Sequence, residues 1–338
     1  MKQIWITRPG SPEVLEIREA DDPRPAPGEV LIDVKAIGVN FADVMARIGK
    51  YDDAPPLPCV VGYEVSGVVR EVGQGVSEYA EGDRVYGLTH FGGYSTVVSV
   101  PADQLVKMPD QMEFVEAAAI PVNYYTAYLA LRYFGNLQPG ERVLIHNVGG
   151  GVGIAATQLA TQVGARIFGT ASGWKHERLA EMGVHELIDY RTKDWVEEVN
   201  LRTSGGGVHV IIDPVGGRNV AKDLQVLATV GRLVVFGFSE PVRNGKRPLL
   251  ATLRSALGMP KPGLLTLLDK NWSIGGLNLG KLWGEIDRLR PVMGAVLEAW
   301  KSGAVKPVIA STFPLEEAGE AHRMLEERRN VGKTVLTV

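Results

Sequence analysis

Cysteine is almost absent: Cys59 is the single one in 338 residues. That excludes an intramolecular disulfide and any zinc site built from two or more cysteines of one chain. Set between Pro58 and Val60, Cys59 reads as a small buried hydrophobe. No apolar run reaches the roughly 20 residues of a membrane-spanning helix. The opening MKQIWITRPG has neither a sustained apolar region nor a cleavage signature, so the expectation is a cytoplasmic protein without integral membrane association. No charge sign dominates: 36 Lys and Arg stand against 39 Asp and Glu, a net charge of −3. Such a balance does not call for nucleic acid as a partner. Internal repeats and low-complexity tracts are missing as well.

What is present is apolar residue, 45% of the chain, enough to build real cores over a length that suggests about two domains. The first third reads as short strands between Gly, Pro and Asp: 29–39, 62–73, 83–88 and 94–100. Such a series suggests a compact barrel or sandwich. Near residue 115 the pattern turns helical, with a break at Pro121. Apolar strands at 143–147, 166–171, 186–190, 208–215, 232–237 and 272–277 then alternate with helices beginning near Gly151, Trp174, Arg218 and Gly284. That alternation predicts an α/β domain with a parallel sheet covered on both faces. Helices are expected over 284–302 and 315–328, and the closing strand TVLTV (334–338) is expected to return to the β-rich part.

The stretch VLIHNVGGGVGIAATQLA (143–160) places Gly149, Gly150, Gly151 and Gly153 within five positions. Such a run is costly in conformational entropy, so something must approach the backbone closely there. Ile154, Ala155, Gln158, Leu159 and Val163 keep helical spacing after it, and Gly164 suits a C-terminal cap. A strand-to-helix turn exposes unpaired N–H groups and the positive end of the helix dipole, which suits a diphosphate. In the dinucleotide fingerprint G-x-G-x-x-G, Gly150 and Gly153 hold the second and third glycine positions, with Gly151 and Val152 between them. Val148 stands in the first, and Gly149 is expected to carry the tight turn instead.

About twenty residues further on, an NAD enzyme usually places Asp or Glu for the ribose hydroxyls. The sequence has Ser172, Lys175 and His176 in GTASGWKHE, with Tyr190 after the next strand. These groups can bond or neutralise a 2′-phosphate, so NADPH is read over NADH. Solvation of a helix start is the plainer alternative for Lys175 and His176.

GVNFADVMARIGKY (38–51), GYEVSGVVREVGQGV (62–76), EGDRVYG (81–87), EAAAIPVNYYTAY (116–128), LQPGERVLIHNVGGGVG (137–153) and NVGKTVL (330–336) occur in that order. Together they resemble the medium-chain dehydrogenase/reductase superfamily, closest to its quinone oxidoreductase branch. FGNLQPG, GTASGWKHE and RNVGK look especially like homologues of the vesicle amine transport protein. The resemblance implies a GroES-like β-rich catalytic domain over 1–122, completed by 286–338, and a Rossmann NADPH-binding domain over 123–285. It also implies a homodimer, in which the last Rossmann strand commonly pairs with its copy; SIGGLNL (273–279) is the matching stretch. The zinc ligands of the alcohol dehydrogenase branch match Asn40, Tyr63 and roughly Val122, none a good ligand, and the cysteine-rich structural-zinc lobe is missing. Without a Lewis acid the chemistry implied is hydride transfer from NADPH to a small hydrophobic quinone or an α,β-unsaturated carbonyl.

By the same resemblance Tyr51 lies beside the nicotinamide, where its phenol can donate a proton or bond an enolate oxygen. Asn40 could bond the substrate carbonyl or the nicotinamide ribose, or simply tie down a turn. Asp43 is assigned to local structure, and Tyr63 to filling the vacated metal space. Thr126 matches a nicotinamide contact, with Asn123 and Tyr124 as weaker candidates. Val215 and Gly216 match the loop beside the adenosine side, and Gly237 and Phe238 end a Rossmann strand, where ligands gather. Leu277 and Asn278 could reach the nicotinamide. Asn330 and Lys333 match a C-terminal cofactor-contacting motif, with surface solvation as the alternative for Lys333. His146 is read as a hydrogen-bonded core residue, and His90 has no assigned role. The segment 248–271, apolar but broken by Arg254, Pro260, Lys261 and Pro262, is expected to line a substrate cleft or cover the dimer edge. Two other functions stay open: a trans-acting enoyl reductase on carrier-bound acyl chains, and an NADPH-binding structural or sensor protein with little turnover.

Overall fold

A computed structural model describes residues 1–238 and 258–338; of the apolar segment, 248–257 lies outside the described residues. Two large sheets and a small three-stranded one organise the described residues. Six strands form the parallel one: β9 (Arg142–His146), β10 (Arg166–Ala171), β11 (Glu186–Asp189), β12 (Val208–Asp213), β13 (Leu227–Val235) and β14 (Ser273–Gly276), in the order β11-β10-β9-β12-β13-β14. The Val, Ile and Leu runs of β9 and β12 follow from burial on both faces, whereas the edge strand β14 is mostly exposed. The order reverses between β9 and β12, and such a switch point opens a crevice at the carboxyl ends of the strands. Expected strands at these positions are therefore present, although the sequence reading omits helix Trp195–Arg202.

The N-terminal part contains β1 (Lys2–Ile6), β2 (Leu15–Glu19), β3 (Glu29–Val39), β4 (Cys59–Val60), β5 (Glu64–Val72), β6 (Arg84–Leu88), β7 (Val97–Pro101) and β8 (Leu105–Lys107). β3 is its spine, pairing antiparallel with β5 and β7. The chain end returns as expected: β15 (Ile309–Pro314) runs parallel to β16 (Lys333–Thr337), which pairs antiparallel with β3. The two parts together make the GroES-like plus Rossmann α/β architecture. Helix Ile286–Lys301 turns Leu289, Val292, Met293 and Val296 into the core that also holds Tyr124 and Ile154. His146 is a core residue: its ring bonds Asp223 at 2.8 Å and Thr170 at 3.0 Å.

Candidate active site and cofactor groove

Four helices and the chain end converge on the crevice. α1 (Phe41–Arg47) follows β3, α2 (Phe114–Ala117) and α3 (Pro121–Tyr128) lead into the parallel sheet, and α4 (Gly151–Val163) follows β9. Between β9 and α4 runs the glycine loop. Its left-handed residue is Asn147, at φ 52°, so Asn147 and not Gly149 carries the tight turn. Asparagine enters that conformation more readily than most residues with a side chain, and the Asn147 carbonyl oxygen closes the turn by accepting the Gly150 N–H at 2.9 Å. The remaining glycines serve close approach. A Cβ on Gly151 would lie 2.4 Å from the Asn123 amide, and one on Gly153 would lie 2.5 Å from the Asn147 carbonyl oxygen. Val148 fits the first-glycine slot because β10 makes room: a Cβ on Gly169 would lie 2.6 Å from its Cγ1. Gly164 closes α4 in the left-handed conformation at φ 75°.

At the adenosine end, Ser172 and Lys175 are both buried, and the Lys175 ammonium donates to the Asn330 carbonyl oxygen at 2.6 Å. Burial, with Arg328 and Arg191 nearby, lowers Lys175 to about 8. Arg328 donates to the Tyr190 hydroxyl at 3.1 Å. Burial alone would raise the Tyr190 phenol, but contacts with Ser172 and Arg328 and the charge of Arg191 bring it below its ordinary value. Asp189, the acid here, is tied to the Gly173 and Arg191 backbone N–H groups. Arg328 and Arg191 were missed in the sequence, although Arg328 stands two residues before Asn330. His176 is half-buried and reaches its own chain at the Ala171 carbonyl oxygen, 3.3 Å away.

At the opposite end lies the slot that matches the catalytic metal. Lys333 is buried, not solvated: its ammonium pairs with the Glu64 carboxylate and donates to Asn40 Oδ1 at 2.6 Å. Asn40 Nδ2 in turn donates to Glu64 Oε1 at 2.9 Å. Glu64 also accepts the Val122 N–H at 2.8 Å, which anchors the start of α3. A zinc ion does not fit this donor set, because an ammonium already occupies the place between Asn40 and Glu64. Asp43 has the structural part expected of it, accepting the Asn40 N–H at 2.8 Å and the Gly62 N–H at 3.1 Å. Its burial pushes the carboxyl up to about 7.

The half-buried Tyr51 packs edge-on against Tyr63, ring centroids 6.0 Å apart. Burial, then the Asp53 carboxylate, raises its phenol, which holds the hydroxyl protonated in the neutral range. Among the described residues the buried Tyr63 hydroxyl has no partner, and its ring leans on Phe91, a ring-filling role. Thr126 and Asn123 are buried on α3 beside the glycine loop, whereas Tyr124 turns away to bond Gln158 at 2.9 Å. The Val215 and Gly216 N–H groups are held by Asp213 at the end of β12, and Phe238 is exposed beside Gly216. Leu277 is buried, and the Asn278 side chain is engaged with Asp53 and the Gly280 N–H.

The C-terminal segment ties these places together. Arg328 meets Tyr190, Asn330 meets Lys175, the Gly332 N–H donates to the Gly149 carbonyl oxygen at 3.0 Å, and Lys333 fills the metal slot.

This two-sheet fold, with a dinucleotide loop at the switch point, defines a class of nicotinamide-dependent oxidoreductases. The chain belongs to the medium-chain dehydrogenase/reductase family, in its zinc-independent quinone oxidoreductase-like branch. Residues 26–110 match the alcohol dehydrogenase GroES-like domain and residues 182–336 the zinc-binding dehydrogenase model. The human synaptic vesicle membrane protein VAT-1 homolog is 43% identical over 95% of this chain and 82% of its own length. The Escherichia coli quinone oxidoreductase complexed with NADPH superposes with a TM-score of 0.88 at 31% identity, covering all of both chains. The CurK enoyl reductase superposes with a TM-score of 0.84 at 30% identity, over 99% of this chain and 98% of its own. Among the described residues no helix is long and apolar enough to cross a membrane.

Proposed function

We propose that the protein is an NADPH-dependent, zinc-independent reductase acting on a small hydrophobic quinone or α,β-unsaturated carbonyl. Residues 1–122 and 286–338 form its catalytic domain, and 123–285 its cofactor domain. The observation that carries this reading is the Lys333–Glu64–Asn40 set in the metal slot, beside a protonated Tyr51. Without a metal to polarise an isolated carbonyl, the acceptor must supply its own electron-poor carbon, as a conjugated system does. Bound in the groove, the reduced nicotinamide supplies the hydride. The chain's own groups do the rest. The Gly150–Gly153 backbone receives the diphosphate, and Ser172, Lys175, Tyr190 and Arg328 receive the 2′-phosphate. Thr126, Val215, Gly237, Phe238, Leu277, Asn278 and Asn330 line the remaining length. Lys333 and Asn40 hold the catalytic wall in register, and Tyr51 donates to the oxygen that gains charge.

The edge strand β14 supports a homodimer. Its outer side has no partner among the described residues, and Ile274, Leu264, Leu265 and Leu268 are exposed beside it. Light scattering should return twice the chain mass; a monomer would remove that part.

The direct test is NADPH oxidation against quinones, enones and acyl thioesters, with and without a chelator. Turnover with quinones or enones, unchanged by the chelator, supports the assignment. Turnover confined to acyl thioesters would move it to enoyl reduction. None at all, with NADPH still bound, would favour a binding protein.

A further inference from the structure

One segment of the Rossmann side, residues 278–283, is fastened to the β-rich domain at both ends. At the first end the Asp53 carboxylate accepts from Asn278 Nδ2 at 3.1 Å and pairs with the Lys281 ammonium. Asn278 Oδ1 caps the same turn by accepting the Gly280 N–H at 3.0 Å. At the second end Trp283 stacks on the His90 ring, centroids 5.1 Å apart at 25°, and its carbonyl oxygen accepts from Gln104 Nε2 at 3.3 Å. Between the two fastenings lies Tyr51: a Cβ on Gly280 would come within 3.6 Å of its hydroxyl. The wall behind is continuous aromatic surface, His90 to Phe91 at 5.1 Å, Phe91 to Tyr63 at 5.1 Å and Tyr63 to Tyr51 at 6.0 Å.

We propose that Asp53, Lys281, His90 and Trp283 form a clasp over the Tyr51 site that sets the width of acceptor admitted to it. The proposal rests on the reductase reading above. Two features suit a clasp rather than a fixed wall. The Lys281 and Asp53 side chains are 69% and 22% exposed, and an ion pair so open to water contributes little to stability, so it parts without unfolding anything. Gly280 between the anchors has no side chain, so the segment approaches the phenol closely. Closed, the clasp holds the 278–283 segment against the Tyr51 end of the aromatic wall and excludes a wide acceptor. Parted, it admits a wider one.

The test compares kcat/KM for 1,4-benzoquinone and for the three-ring 9,10-phenanthrenequinone. Lys281→Met and Trp283→Ala should each raise the ratio of bulky to small acceptor about tenfold, the scale on which pocket fit discriminates. The charge-exchanged pair Asp53→Lys with Lys281→Asp should return it towards the parent value. Amide hydrogen exchange of the 278–284 segment, with NADPH present, is read in parallel and should quicken in both single variants. A ratio that stays put, or both acceptors falling together, overturns the proposal. If the parent turns over no acceptor, the reductase reading fails by itself, and exchange then decides: quickened exchange upholds the clasp as a moving part, and unchanged exchange sinks it.

Discussion

The two ends of the groove each bury a lysine, and they solve the charge problem in opposite ways. Lys333 and Lys175 are equally buried, each 4% exposed. Lys333 is neutralised by Glu64, inside the protein. Among the described residues Lys175 has only the Asn330 carbonyl oxygen, with Arg328 and Arg191 for neighbours. A buried cation without a carboxylate is costly, and its lowered pKa records that cost. The comparison teaches where ligand charge belongs: the adenosine end is built to receive an anion, and the metal-slot end is complete without one.

The largest expected effect breaks the self-sufficient end. Glu64→Gln leaves the Lys333 ammonium buried and unpaired, so stability should fall by about 3–5 kcal/mol. Adding Lys333→Met should recover much of the loss, since the stranded charge goes with it. Urea unfolding measures both. A Glu64→Gln protein within about 1 kcal/mol of the parent would mean that Lys333 does not depend on its partner.

Next comes the phenol beside Tyr63. Tyr51→Phe should lower kcat by about a hundredfold, the lower range for a positioned proton donor, while the NADPH dissociation constant stays unchanged. An intact rate would remove Tyr51 as donor.

Much of this contrast is written locally and was legible, and part of it is not. The strand VLIHN, the glycines after it and Ser172 with Lys175 lie within one βαβ unit, so periodicity and spacing report them. Glu64 and Lys333 are 269 positions apart, and no local pattern couples them. Glu64 was passed over beside Tyr63 because its value comes only from what β16 and α3 bring to it. Asn147 was passed over for Gly149 because glycine is the default for a left-handed turn, while asparagine enters that conformation more readily than most residues with a side chain. Asp53, His90 and Trp283 lie on three separate loops, whose approach only the closed cleft reveals.

A third prediction sharpens the open end. Lys175→Ala and Arg328→Ala should each weaken NADPH about tenfold and leave NADH nearly unchanged, since a hydrogen bond to a charged group is worth about 1.5–3 kcal/mol and water recovers some of it. Calorimetry with both cofactors reads this directly. Equal losses for the two cofactors would take the 2′-phosphate away from this pocket.

The smallest effect is the most particular to the open end. Free Lys175 titrates at about 8, below the ordinary lysine value of 10.5. A bound 2′-phosphate favours the charged ammonium and raises that value, so above pH 8 binding must take up a proton. NADPH affinity should therefore weaken as pH rises from 8 towards 10.5, by less than about tenfold in all, while NADH affinity stays level. The apo protein should behave in the opposite sense. Over the same window the unfolded chain holds the proton that folded Lys175 has lost, so this group's contribution to stability rises with pH. Parallel titrations of NADPH and NADH in Lys175→Ala should then be flat together, and a slope persisting there would assign the proton to another group.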